Sequence, residues 1–197
     1  MDRYIIEFSR EPNDAKHVEI KSIMETYGDF QIEYIDDYIA LINGNPQHLK
    51  NAAFINFISK VIYEGEKIED LKYAKIPDGK FYVRVSGEYD DRENAEKIIG
   101  DLLTARGRVS FSDPDFVIRA IYKNGWFLSI LYFKRDTAGF ESRKAPLRPY
   151  FSPVSMHPKY ARFLVNSAHV REGETILDPF CGTGGVLIEA AMIGIKI

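Results

Sequence analysis

The stretch TILDPFCGTGGVLIEAAMIG (175–194) constrains this chain more than any other. An apolar, β-prone run ends on an acidic residue, glycines follow at 182, 184 and 185, and then comes a run of good helix formers. That order predicts a strand, a tight turn and a helix. The glycines let the backbone turn sharply and approach a ligand, because no Cβ intervenes. A loop of this kind lies at the C-terminal end of its strand, where open α/β sheets bind ligands, and the next helix points free N–H groups at it. Asp178, at the strand end, is placed to accept hydrogen bonds from a ligand's amino group.

The turn discriminates between ligands. A nucleotide P-loop needs a lysine after its glycines; Val186 stands there instead, which excludes it. A dinucleotide fingerprint needs a third glycine at 187, and Leu187 occupies that position. S-adenosylmethionine suits the turn best, with its ammonium toward Asp178 and its short methionine tail over the glycine floor. A dinucleotide and a glycine turn without ligand stay open on these residues alone.

Upstream, the pattern is α+β. YIIEF (4–8) reads as a strand, a helix runs from about Ala15 to Tyr27 and ends at Gly28, and FQIEYI and YIALI flank Asp36-Asp37 as a hairpin. A second helix is expected from Pro46 to about Phe57, then a strand over ISKVIYEG. Strand, helix, strand, strand, helix, strand is the ferredoxin-like order. A second unit holds a strand at FYVRVSGEY (81–89), a helix over about Arg92–Ala105 capped by Asp91, and strands FVIRAIY and WFLSILYF joined at Asn124-Gly125, a strong hairpin signal. KRDTAGFESRKAPLRPYFSP (134–153) reads as a linker, and a helix starts at Pro158. The expected domains are thus 1–66, 67–138, a basic linker 139–154, and 155–197.

Charge is uneven. Net charge is −3, yet residues 134–162 carry +5 while residues 1–70 carry −7. Arg135, Arg143, Lys144 and Arg148 are therefore candidates for phosphate contacts; salt bridges that tether the segment are the competing use of Arg143 and Arg148. Trp126 and Tyr132 could stack on bases, but strand aromatics more often belong to a core. Cys181 is the only cysteine; it reads as a buried small residue, and its solitude fits a reducing cytoplasm. His17, His48 and His169 show no metal-ligand spacing, so no metal site is expected. No long apolar run and no secretory pattern are seen.

DPFCGTGG (178–185) resembles motif I of amino-methyltransferases with a Rossmann-like fold, and MHPKYARFLVNSAHV resembles the helix that precedes it in those enzymes. RPYFSPVSMHPKYARFLVNSA is similar to the archaeal and eukaryotic tRNA guanine-N2-methyltransferases that act on guanosine 10. The resemblance implies an α+β chain: a ferredoxin-like domain, a THUMP RNA-binding domain, and the first part of a methyltransferase domain. It implies S-adenosylmethionine as cofactor, lined by Asp178, Phe180, Gly182, Thr183 and Gly184 and flanked by His157 and Pro158. It implies tRNA as partner, gripped at its acceptor end by the THUMP domain. The family's catalytic Asp-Pro-Pro-Tyr-like loop has no counterpart in this sequence. The expectation is a chain truncated after motif I, with no catalytic residue of its own and no activity alone. A DNA or protein amino-methyltransferase fragment and a non-catalytic RNA-binding module are the alternatives.

Overall fold

The computed structural model describes residues 1–11, 13–150 and 152–197, apart from the side chain of Asn13. It is a mixed α/β fold whose contacts divide into two compact units, Met1–Ile6 with Phe57–Lys134, and Glu7–Asn56 with Arg135–Ile197. Strands β1 (Arg3–Phe8) and β4 (Ile55–Gly65) each contribute residues to both.

In the unit built mainly from 57–134, β4 pairs antiparallel with β8 (Trp126–Lys134), and β8 antiparallel with β7 (Phe116–Tyr122). The β7 strand runs parallel to β5 (Lys80–Gly87), which in turn pairs parallel with the short β6 (Arg108–Val109). Alternation along β5 drives Phe81, Val83 and Val85 into a core with Ala95, Ile99 and Leu103 of helix α2 (Arg92–Leu103). Asp91 caps α2 by accepting from the Asn94 N–H at 3.3 Å. Trp126 is buried in this core against Tyr89 and Tyr122. Tyr132 is 42% exposed instead of core, with its ring centre 5.7 Å from that of Tyr4. Asn124 and Gly125 both take positive φ, as the hairpin signal requires.

In the other unit, α1 (Asn13–Tyr27) buries Ile20 and Ile23, and β2 (Phe30–Ile35) pairs antiparallel with β3 (Ile39–Gly44). The expected helix after Pro46 is a single 3-10 turn, Gln47–Asn51, and β4 starts at Ile55. The reason is tertiary: the buried carboxylate of Glu19 takes the N–H groups of Ala53 at 2.6 Å and Phe54 at 2.9 Å, which a helix would need for itself. Residues expected as linker instead form α3 (Thr137–Glu141) and bury Phe140 and Ala145.

Helix α4 (Pro158–Ser167) packs on α1 and is tied by polar contacts to it and to Glu11 just before it. Asn166 donates to Glu19 at 2.8 Å, Lys159 to Glu11 at 2.7 Å, and Arg171, just beyond the helix, to the Thr26 carbonyl at 2.9 Å. Against α4 lies α5 (Gly185–Ala191), with Val165, Ala190 and Ile195 as a small core. The run TILDPF is not a strand. Thr175 makes one parallel bridge to Lys196, and Leu177 and Phe180 stand 84% and 93% exposed. Parallel strands persist where neighbours bury both faces, and the described residues offer 175–177 only the short 195–197 segment.

Candidate functional site

The glycine turn forms at the expected place. Gly182 and Gly184 adopt φ of 54° and 72°, the left-handed conformation that only glycine holds without strain. The Gly184 N–H closes the turn on the Cys181 carbonyl at 2.7 Å, and α5 follows directly. Asp178 is partly buried and accepts the Phe180 N–H at 3.0 Å, which shapes the approach to the glycines. Cys181 is exposed, not buried: the turn projects it away from the small core of α4 and α5.

The segment before α4 is drawn to the turn by Ser155, whose hydroxyl lies 2.9 Å from that of Thr183. The α4 cap is His157, whose Nδ1 accepts from the Lys159 N–H at 3.1 Å, and Pro158 is buried at the first helical position. Its other ring nitrogen lies 3.5 Å from Glu141. The side-chain bond from Lys144, together with His157, holds the Glu141 carboxyl below the usual carboxylate range.

The four basic candidates are all engaged. Arg135 donates to the backbone carbonyls of Ile55 at 2.6 Å and Lys50 at 3.1 Å. Burial drives its pKa down to about 10, against the pull of Glu19. Arg143 grips Glu189 with two nitrogens, Nε at 2.8 Å and Nη2 at 3.2 Å. Lys144 pairs with Glu141, and Arg148 donates through Nε to the Arg143 carbonyl at 2.9 Å. Glu189 also takes Arg162 at 2.8 Å and is itself fully buried. Sequence reading missed it because a lone glutamate among VLIEAAMIG reads as a surface residue; only packing shows two arginines converging on it. Glu19 was missed for the same reason.

Does the turn suit S-adenosylmethionine? A Cβ on Gly184 would meet nothing within 4 Å, so the floor opens on free space. Arg148 Nη1 and Nη2 are buried without a hydrogen-bond partner. Nη1 stands 3.5 Å from where a Cβ of Gly185 would sit. An unsatisfied guanidinium beside a glycine floor suits a ligand with an amino-acid carboxylate. The residues present fit the group. Among the described residues no set of three His, Cys, Asp or Glu could hold a metal ion, and no helix is long and apolar enough to cross a membrane.

Comparison with known proteins agrees with this geometry. Residues 146–197 match the family described as RMKL-like, methyltransferase domain. A tRNA (guanine(10)-N2)-dimethyltransferase of Methanocaldococcus jannaschii is 40% identical over 141 residues, covering 66% of this chain. The chain spans 40% of that protein's length. TrmN from Thermus thermophilus superposes with a TM-score of 0.61 at 19% identity, over 96% of this chain and 61% of its own. SMU.472, solved in complex with SAH, gives a TM-score of 0.55 at 16% identity, over 98% and 56%. The chain is therefore a homologue of proteins named tRNA (guanine(10)-N2)-dimethyltransferase, and its residues 146–197 match the RMKL-like methyltransferase domain model.

Proposed function

We propose that this chain is the tRNA-binding portion, with the cofactor turn, of an S-adenosylmethionine-dependent methyltransferase that modifies the exocyclic N2 of a tRNA guanosine, at position 10. The observation that carries the reading is the left-handed Gly182/Gly184 turn beside Asp178 and the unsatisfied Arg148 guanidinium, in a chain 40% identical to an enzyme of that name. In this reading residues 1–66 are the ferredoxin-like domain, 67–138 the THUMP domain, 139–154 the basic linker, and 155–197 the first part of the methyltransferase domain. The β1-α1-β2-β3 order, with β4 following a 3-10 turn, supports the first of these.

The cofactor supplies an electrophilic methyl group on sulfonium. The chain's own residues bind and orient it: Asp178 toward the ammonium, Gly182, Thr183 and Gly184 as floor, Phe180 as an apolar wall, and His157 and Pro158 at the flank. Ser155 holds Thr183 in place through their 2.9 Å contact. Within the basic segment, Lys144 serves RNA phosphate, since its ion pair with Glu141 lies at the surface and exchanges readily with another anion. Arg135 and Arg143 keep the segment in shape, and Arg148 does so through Nε while its unpaired Nη atoms are offered to the cofactor's carboxylate. In this reading the enzyme works on tRNA in the cytoplasm.

Calorimetric titration with S-adenosylmethionine tests the turn. Weak binding that D178A abolishes is expected; no binding at millimolar ligand would refute the assignment. The 197 residues contain no Asp-Pro-Pro-Tyr-like sequence, so the chain alone is expected to transfer no methyl to tRNA transcripts. Filter binding of tRNA with and without its 3′ end tests the partner.

A further inference from the structure

The β5 edge of the 57–134 unit carries a small aromatic and cationic platform. Tyr82 and Arg84 alternate with the buried Phe81, Val83 and Val85, so they leave the sheet on the face opposite α2. Phe111, two residues after β6, lies in an offset stack on Tyr82, ring centroids 6.1 Å apart and planes 29° from parallel. The Arg84 guanidinium sits 5.0 Å from the Tyr82 ring centre and 5.8 Å from that of Phe111. Glu96 of α2 reaches the β5 edge, where it accepts the Val85 N–H at 3.0 Å and takes Arg84 at 2.9 Å, and the Arg84 side chain stays 47% exposed. Phe111 is 69% exposed. Two further cations share the face: Lys80, two residues before Tyr82 and ion-paired with Asp113, and Arg108, in register with Lys80. The Arg108 side chain is exposed and makes no ion pair or hydrogen bond among the described residues.

We propose that Tyr82, Arg84 and Phe111 form a stacking platform for an unpaired base of single-stranded RNA, with Arg108 on the adjoining phosphate. An exposed phenylalanine costs solvation unless something covers it, and a flat ring backed by a second ring and a guanidinium fits a nucleobase better than an aliphatic side chain. Lys80 and Arg84 are paired with Asp113 and Glu96, so Arg108 is the cation that supplies charge complementarity to the strand's backbone. An α-helix or duplex offers no free base face. This inference rests on the tRNA reading above and names which surface does the gripping, one that the basic segment 134–162 does not include.

The test uses the full chain and an RNA hairpin with an unpaired end carrying 2-aminopurine. Binding is expected to quench the fluorophore, as stacking does. F111A is expected to weaken binding about tenfold, the loss of one base–aromatic stack of ~1.4 kcal/mol, and to abolish the quench. F111W should restore both, and its thermal midpoint serves to check folding. R108Q should reduce the salt slope of binding by about one without changing the quench. If the unchanged chain binds RNA and F111A binds and quenches alike, the platform falls and the tRNA reading stands. If the unchanged chain binds no RNA, both fall.

Discussion

Truncating Glu189 is the sharpest perturbation available. Its carboxylate is fully buried and accepts from Arg143 at 2.8 and 3.2 Å and from Arg162 at 2.8 Å. The side chain of Arg162 is only 7% exposed, its Nε has no partner, and its Nη1 reaches the Asn51 carbonyl at a long 3.4 Å. Glu189→Ala thus strands the buried Arg162 guanidinium and leaves the three-quarters buried Arg143 only its bond to the Gly139 carbonyl. Removing one partner of a buried ion pair costs about 3–5 kcal/mol. For a chain of this length each kcal/mol moves Tm by about 2–4 °C, so a fall of roughly 6–20 °C is expected by circular dichroism. Hydrogen exchange should place the loosening in α4 and α5. Replacing Glu189, Arg143 and Arg162 together by apolar residues of similar volume should recover much of the loss, because no charge is then left uncompensated. Lys60→Ala breaks the exposed pair with Asp2 and is expected to cost no more than about 1 kcal/mol. If Glu189→Ala costs as little as Lys60→Ala, the carboxylate is not the clamp described.

The two kinds of glycine should separate cleanly. A Cβ at Gly184 meets nothing within 4 Å, so Gly184→Ala should cost only backbone strain, about 1–2 kcal/mol in chemical denaturation. At Gly87 the Cβ would lie 2.2 Å from the Tyr122 carbonyl oxygen; Gly87→Ala adds overpacking and should cost more than ~3 kcal/mol. Glu19 makes a pH prediction. Burial pushes its carboxyl above the ordinary 4.5, although three N–H donors oppose this. A raised carboxyl pKa contributes stability that is full below the unfolded value and is lost as pH rises through the folded one. Stability of wild type relative to Glu19→Gln, followed by thermal melts, should therefore decline from about pH 4.5 upward. A difference that stays level with pH would contradict the assignment.

Local signals were legible wherever the chain's own neighbours decide conformation. The Asn124-Gly125 hairpin needs positive φ at both positions, Asp91 caps α2 with its own carboxylate, Pro158 starts α4, and the glycines at 182 and 184 turn the chain before α5. Alternation along FYVRVSG likewise announced β5 and its buried face. These are choices settled within a few residues, and composition suffices for them.

What the sequence could not show was long-range. Pro46 promises a helix, yet Glu19, 34 residues from Ala53, takes the backbone donors that a helix would use. TILDPF has the composition of a buried strand, but a strand exists only in company, and Lys196 offers it one bridge. Phosphate contact and salt bridge were both open to Arg143 until α5 brought Glu189 under it, and nothing in its neighbours marked Phe111 as the exposed ring it proves to be. Dihedral preferences and caps are set by neighbours along the chain, so the sequence by itself determined the turns and the helix starts. Desolvation and ion pairing depend on which distant groups arrive together, so only the tertiary structure decided which charges are clamps and which aromatics stay open.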